Sequence, residues 1–397
     1  MQRNERLLSI NKQYFNWSDQ QVNDFRRKLL NWYDQEGRDL PWRRTKDPYK
    51  IWVSEIMLQQ TQVSTVIPYY ERFIEQIPTI QDLAVYPTED LLNLWQGLGY
   101  YSRVRNMQIA AQQIVELYEG QMPNNMKELL TLKGIGPYTA AAIASMAYNI
   151  AEPAIDGNLM RVTARLFEIE EDISQPKSRK IFKDILDRLI DPDRPGDFNQ
   201  ALMDVGATIM TPSAHRPENH FLKEFDQSYQ NYTSHLYPVK KKKTKQLQQE
   251  WLAYQIQNNR GHYLMRQHQV GELLEGLWHY PLVQLDLLAL NNSKETKEAF
   301  FYTYLDEESI VAEEDAIIKL KNNFEITMKE LSTPIQHIFS HRKWQVAVLP
   351  VRIEGSGQEL LDYLQINDSS FTWVDPLSLG DYALSKLQIK LFDRLSE

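Results

Sequence analysis

The hydrophobic spacing of this 397-residue chain changes character once, and that switch limits what it can fold into. From about Trp17 to Tyr232 apolar residues recur at helical intervals, as in Met126–Leu132, closed by Gly134, and in the alanine-rich run Thr139–Tyr148. Pro41, Pro48, Pro68, Pro78, Pro87, Pro123, Pro137 and Pro153 fall where turns or first helical turns are expected. Then Tyr237-Pro238-Val239 leads into four consecutive lysines, Lys240–Lys243, which read as a solvated linker. Beyond it Trp251–Ile256 and His262–Met265 bracket an Asn258–Gly261 turn, Trp344–Val351 is a further strand, and Leu384–Leu395 a closing helix. The expectation is an all-α domain over residues 1–237, with room for two helical lobes. A basic linker over 238–246 and a mixed α+β domain over 247–397 follow.

Composition narrows the class. Hydrophobic residues make up 42% and charged residues 24%, the balance of an ordinary globular protein. No apolar run reaches membrane-spanning length, and the opening Met1–Arg6 lacks the apolar stretch of a secretory signal, so a cytoplasmic protein is expected. The chain contains no cysteine, which rules out disulfides, thiolate metal sites and a thiol nucleophile. The formal charge of −9 argues at first against a nucleic-acid partner. Residues 1–243 account for only −1 of it and residues 244–397 for −8. Net charge governs non-specific attraction, not whether a local site can grip a phosphate.

Such a site is legible at Leu132-Lys133-Gly134-Ile135-Gly136-Pro137-Tyr138-Thr139-Ala140. Two glycines flank one apolar residue between two helices. Glycine permits positive φ and close approach of an anion to the backbone. Pro137 suits a first helical turn, where a missing N–H costs nothing. The free amides and positive helix end then bind a phosphate without strong side-chain charge. A tight turn between packed helices would use the same residues. The flanking leucine, proline, threonine and alanines favour a helix-hairpin-helix motif on a DNA backbone. The Lys240–Lys243 run is a second place where phosphate contact is open.

This motif and its surroundings resemble the helix-hairpin-helix DNA glycosylases, and most closely the MutY-type adenine glycosylases. The resemblance runs from about Trp32 to His220. It rests on Leu40-Pro41-Trp42-Arg43, Trp52–Thr61, Gly97–Arg103 and Ala154-Ile155-Asp156-Gly157-Asn158, and extends more weakly into the C-terminal part. It implies a helix-hairpin-helix glycosylase domain followed by a Nudix-like domain. It also implies excision of adenine opposite 8-oxoguanine or guanine in double-stranded DNA, by a chain expected to be monomeric.

Cleaving a base–sugar bond asks for one protonated acid and one ionised carboxylate. Glu55 lies in an apolar helical run, where burial would raise its pKa; by position alone it reads more readily as a solvated stripe residue. The resemblance makes it the acid that protonates adenine N7. Asp156 precedes the helical run Leu159–Phe167, so it can cap that helix, and the amide bonds of a cap should lower its pKa. In the family this aspartate stabilises the sugar cation, and Asn158 matches a residue that orients the catalytic groups. At Tyr138 lyase relatives carry a lysine that forms a Schiff base; tyrosine cannot, which predicts a monofunctional enzyme.

A base inside a duplex must be flipped out. Gln60 and Tyr100 match positions that insert into DNA, with Gln59 beside them. Arg38 and Arg43 lie near the pocket blocks and are candidates to hydrogen-bond the flipped base. Gly134, Ile135 and Gly136 form the phosphate hairpin. In the C-terminal part, Gly276–Pro281 resembles the Nudix-like domain, and Phe339-Ser340-His341 the loop that reads 8-oxoguanine, with Ser340 able to hydrogen-bond it. No glutamate-rich metal helix stands between Pro281 and Ile310, so a recognition module is expected, not a pyrophosphatase. Most of the family closes its second lobe with a four-cysteine iron–sulfur cluster. Here spacing puts Met210, Pro217, His220 and Asp226 at those places, so a cluster-free variant is expected, with Met210 and Phe221 packing directly. A His220/Asp226 metal site is a weaker alternative. A lyase acting on oxidised pyrimidines and a non-catalytic lesion-binding protein remain as other readings. Tyr138 and the added domain argue against the first, Glu55, Asp156 and Asn158 against the second.

Overall fold

A computed structural model describes residues 13–240, 247–285, 287, 297, 301, 324–339, 342–354 and 370–396. Its helices, in chain order, are α1 Asp19–Glu36, α2 Pro48–Leu58, α3 Val63–Gln76, α4 Ile80–Val85, α5 Thr88–Leu94, α6 Ser102–Tyr118 and α7 Met126–Leu129. They continue as α8 Pro137–Tyr148, α9 Gly157–Phe167, α10 Ser178–Leu189, α11 Pro195–Asp204, α12 Gln227–Gln230 and α13 Lys386–Ser396. The chain gathers into two compact units, residues 1–86 with 102–243, and residues 87–101 with 244–397. No helix among the described residues is long and apolar enough to cross a membrane.

The first unit is helical because its boundaries are well signalled. Ser18 opens α1 with a reciprocal capping box to Gln21, Asp47 caps α2 by accepting from Tyr49 N, and Pro48 and Pro137 occupy first-turn positions. Two expectations need correction. Pro68 lies inside α3, not at a turn. It sits in the second turn, and burial of Val66, Tyr70 and Phe73 on one face outweighs the hydrogen bond it forfeits. The helix expected over Met126–Leu132 ends at Leu129, and the chain continues to Leu132 in tighter turns, Thr131 N to Glu128 O and Leu132 N to Leu129 O.

One hydrophobic cluster draws on Phe25 and Leu29 of α1, Val162 and Phe167 of α9, Phe182 and Leu186 of α10, and Phe198 and Leu202 of α11. A second joins Ile51 of α2 to Ala141, Ala142 and Met146 of α8. Alanines at that seam let the two helices approach closely. α2 is therefore covered almost all round: Tyr49 and every residue from Ile51 to Met57 are buried, Glu55 among them. A helix enclosed in this way carries its one carboxylate into the interior.

The second unit holds a mixed sheet with strands β1 Leu247–Gln257, β2 Tyr263–Gln267, β3 Trp278–His279, β4 Leu282–Gln284, β5 Glu325–Met328, β6 Ile335–Ile338, β7 Arg342–Glu354 and β8 Phe371–Val374. The order is β3-β2-β1-β7-β5, with β4 on β1, β6 on β7 and β8 on β2. β1 and β7 run parallel from Leu247 opposite Arg342 to Gln257 opposite Arg352. Alternation sends Tyr254, Ile256, Leu349 and Val351 to one core, and Ala253, Val346 and Val348 to another beneath Leu387 and Leu391 of α13. The expected turn lies between β1 and β2, with Gly261 at φ +83°. Residues 87–101 join this unit: Asn93 Nδ2 donates to Asp381 O at 2.9 Å and Tyr101 Oη to Leu384 O at 3.2 Å. Sequence spacing gives no sign of these bonds. Ser340, His341, Lys241–Lys243 and most of the stretch between Pro281 and Ile310 lie outside the described residues.

Phe167 is 1% exposed and packs against Phe15 and Trp17, with ring centroids 5.3 and 4.7 Å away. Phe167→Ala is expected to destabilise the first unit by about 3–5 kcal/mol, measured by urea unfolding of the full chain.

Candidate active site

A cavity of about 840 Å³ opens in the first unit, and the residues lining it include Glu55, Tyr138, Asp156 and Asn158. Several segments build it. The end of α2 and the residues after it bring Glu55, Leu58, Gln59 and Gln60, the hairpin and the start of α8 bring Gly134, Gly136 and Tyr138, and the start of α9 brings Asp156–Asn158. Arg38 and Arg43 come from the segment before α2, Arg179 from α10, and Gln200 and Met203 from α11.

Glu55 is 3% exposed, and burial pushes its carboxyl up to about 7. Tyr138 Oη donates a short hydrogen bond to Glu55 Oε2, which pulls the other way; the Asp156 carboxylate raises the value further and the Arg43 charge lowers it. Tyr138 is partly buried, and desolvation with the two carboxylates beside it keeps its phenol protonated. It is therefore a fixed donor.

Asp156 is the N-cap of α9: Oδ1 accepts from Leu159 N at 2.7 Å and Oδ2 from Asn158 Nδ2 at 2.8 Å. Capping alone predicts a lowered pKa, yet the shift is upward. Desolvation at the cavity wall outweighs the Leu159 and Asn158 bonds and the nearby Arg161 charge. Asn158 is oriented from its far side, since Arg161 Nη2 donates to its Oδ1 at 2.7 Å. Arg161 in turn donates through Nε to Met210 O at 2.8 Å and through Nη2 to Gly206 O at 2.6 Å. Gly206 lies in the π-helical turn Val205–Ile209 that follows α11.

The sequence pattern of the HhH-GPD superfamily base excision DNA repair proteins matches residues 53–188, and that of the NUDIX domain residues 252–394. The adenine DNA glycosylase of Rattus norvegicus is 49% identical over 200 residues, 48% of this chain and 39% of that protein. That of Arabidopsis thaliana is 35% identical over 385 residues, 87% of this chain and 60% of that protein. The chain thus spans less than two thirds of either relative. The adenine DNA glycosylase of Schizosaccharomyces pombe is 32% identical over 324 residues, 66% of this chain and 70% of that protein. The chain belongs to the adenine DNA glycosylase family.

Within this family member some expected site residues take other parts. Arg38 and Arg43 line the cavity, but both are committed to Asp204 at the end of α11. Arg43 Nη1 and Nη2 bind its two oxygens at 2.7 and 2.8 Å, and Arg38 Nε reaches Oδ1 at 2.7 Å. They brace the wall beside Glu55. In the hairpin, Gly134 has φ +76°, and a Cβ there would stand 2.8 Å from Asn106 Cβ, so glycine is required. A Cβ on Gly136 would meet nothing, which leaves its face open to a ligand. Ile135 is 4% exposed and its N–H donates to Leu132 O at 3.1 Å, so its side chain packs inward. Gln60 is exposed on the cavity edge at φ 60°. Tyr100, 45% exposed at φ 49°, belongs to the second unit and does not line this cavity.

The residues at the family's cluster positions do not fit an iron–sulfur cluster. Met210 is 1% exposed in the core of the first unit, and His220 Nε2 and Asp226 Oδ2 bind each other at 2.9 Å. Asp226 also caps α12 through Tyr229 N and accepts from Ser228 Oγ. Phe221 stacks on Trp32 with ring centroids 4.8 Å apart. Among the described residues no group of three or more His, Cys, Asp or Glu is placed to hold a metal.

Because Tyr138 stabilises the ionised form of Glu55, Tyr138→Phe raises the Glu55 pKa. The Glu55 carboxyl should therefore titrate near pH 7 in the wild type and at higher pH in the variant. Carboxyl-detected NMR titration from about pH 5.5 to about 9 checks this; a midpoint that does not move would count against the bond.

Proposed function

We propose that the chain is a monofunctional DNA glycosylase that removes adenine mispaired with 8-oxoguanine or guanine, leaving an abasic site. One observation carries the reading. A buried carboxyl near neutral pKa, gripped by Tyr138, faces the same cavity as a second carboxyl held by backbone and amide donors.

Adenine is a poor leaving group as an anion. Glu55 donates its proton to N7 of the flipped base, the C1′–N9 bond breaks with its electron pair passing to the base, and neutral adenine departs. The sugar is left as an oxocarbenium ion. Asp156 carries the compensating negative charge, and the cation beside it favours its ionised form over the upward push of burial. Water adds at C1′ and returns its spare proton to Glu55. Tyr138 has no amine to attack the sugar, so strand cleavage does not follow. The hairpin around Gly136 takes a backbone phosphate, while Gln60 and Tyr100 fill the stack vacated by the flipped base. The Nudix-like domain supplies the reading of 8-oxoguanine, with Ser340 in the recognising loop. The protein acts as a cytoplasmic monomer without an iron–sulfur cluster.

A duplex carrying one adenine opposite 8-oxoguanine tests this. Free adenine should appear, with strand breaks only after alkali. Breaks without alkali would make it a lyase, and binding without release would make it a lesion-binding protein. Glu55→Gln should lower single-turnover release by at least about 10²-fold while sparing duplex binding. Asp156→Asn should lower it by about 10²–10³-fold. Protein purified after expression in iron-replete medium should contain no stoichiometric iron and no visible absorption band; a bound cluster would refute the cofactor reading.

A further inference from the structure

Three arginines line the cavity: Arg38, Arg43 and Arg179. The first two share the Asp204 carboxylate. Arg179, the second residue of α10, differs from both. Its side chain makes a single hydrogen bond among the described residues, from Nη2 to Ile155 O at 2.7 Å, and no acidic partner faces it there. Ile155 immediately precedes Asp156. One edge of the guanidinium is thus tied to the chain that presents the sugar-stabilising carboxylate. Arg179 is an exposed residue lining the cavity, with exposed Lys177 and Lys180 near it in sequence, and its other donors make no hydrogen bond among the described residues.

We propose that Arg179 holds a DNA phosphate next to the flipped nucleotide and bridges it to the Ile155–Asp156 backbone. The inference rests on the glycosylase reading above and deepens it. A nucleotide swung out of a duplex brings the phosphates on both its sides to the mouth of the pocket. Gly136 and the start of α8 take one through backbone amides. Arg179 lines the same cavity from a separate element, α10, which has no such hairpin before it. A guanidinium has the right shape for this contact, because its fork can keep one N–H on a carbonyl while others engage phosphate oxygens. An ammonium at the same place gives charge without the bridge. The bridge makes Arg179 a positioning residue, since gripping the phosphate fixes the carbonyl one residue ahead of Asp156.

Salt dependence separates this role from a structural one. Each phosphate neutralised by a cation adds about 0.9 to the slope of log binding constant against log salt. Binding to the adenine–8-oxoguanine duplex is measured by fluorescence anisotropy from about 50 to 200 mM salt, in a Glu55→Gln background that leaves the substrate intact. Arg179→Gln should reduce the slope by about 0.9, and Arg179→Lys should keep it. Arg188→Ala, which removes an exposed cation paired with Asp19, should leave it unchanged. With Glu55 restored, Arg179→Lys should still release adenine several-fold more slowly at saturating enzyme, because the tie to Ile155 is lost. A wild-type slope in Arg179→Gln would overturn the phosphate contact, and an unchanged release rate in Arg179→Lys would overturn the bridge. If the wild type releases no adenine, the glycosylase reading fails on its own while the slopes still decide the phosphate contact.

Discussion

The site depends on the desolvation of one carboxyl group. Holding Glu55 near 7 rather than its ordinary 4.5 corresponds to about 3 kcal/mol of preference for the protonated form. That preference is a packing result. It exists because α2 is covered almost all round and because the alanines of α8 let a second helix close over it. The same closure delivers Tyr138 to the buried carboxyl. Without that donor, burial would hold Glu55 protonated to higher pH. The phenol limits the shift. Burial and the hydrogen bond act in opposite directions, and their balance leaves the carboxyl at about 7.

The second carboxyl is held by a different kind of support. Asp156 is fixed at a helix start by Leu159 N and the Asn158 amide, and Asn158 by Arg161, whose remaining contacts are the carbonyls of Gly206 and Met210. The cap residue is thus connected through two side chains to the turn that follows α11. Asp204, one residue before that π-helical turn, anchors Arg43 and Arg38 on the other flank of the cavity. One short stretch of chain, Asp204–Met210, therefore braces both walls. A π-helical turn places its carbonyls differently from an α-helix, and from a single position Arg161 reaches that of Gly206 within it and that of Met210 just after it.

Much of this was legible in the residues. The switch from helical to strand spacing, the caps and the Gly134-Ile135-Gly136-Pro137 hairpin follow from local chemistry. So does an aspartate placed to cap α9. Glu55 as a buried acid did not follow from its own position; only the surrounding block resemblance pointed there, since periodicity cannot say that all sides of a helix will be covered. Asp204 left no signal, because an aspartate near a helix end is common and its partners lie more than 160 residues away in sequence. Arg161 had a faint one, three residues after Asn158 on the same helix, where side chains meet. The direction of the Asp156 shift is not readable from a cap alone, because desolvation at the cavity wall outweighs the cap's hydrogen bonds.

The weak charge balance of residues 1–243 then takes on a physical meaning. Most of its arginines near the cavity are consumed internally: Arg43 and Arg38 by Asp204, Arg161 by carbonyls and Asn158, Arg103 by the carbonyls of Ile56, Met57 and Gln59 at the end of α2. These cations act as internal struts, and a carbonyl at a helix end is a natural partner for positive charge. In the proposed reading the amides of Gly136 and α8 hold the phosphate, and because amides carry no net charge the grip adds no positive field that would drive Glu55 toward ionisation. The cations spent as struts keep the cavity walls in place, and the raised Glu55 pKa and the proposed means of holding DNA are then two consequences of where the positive charge was placed.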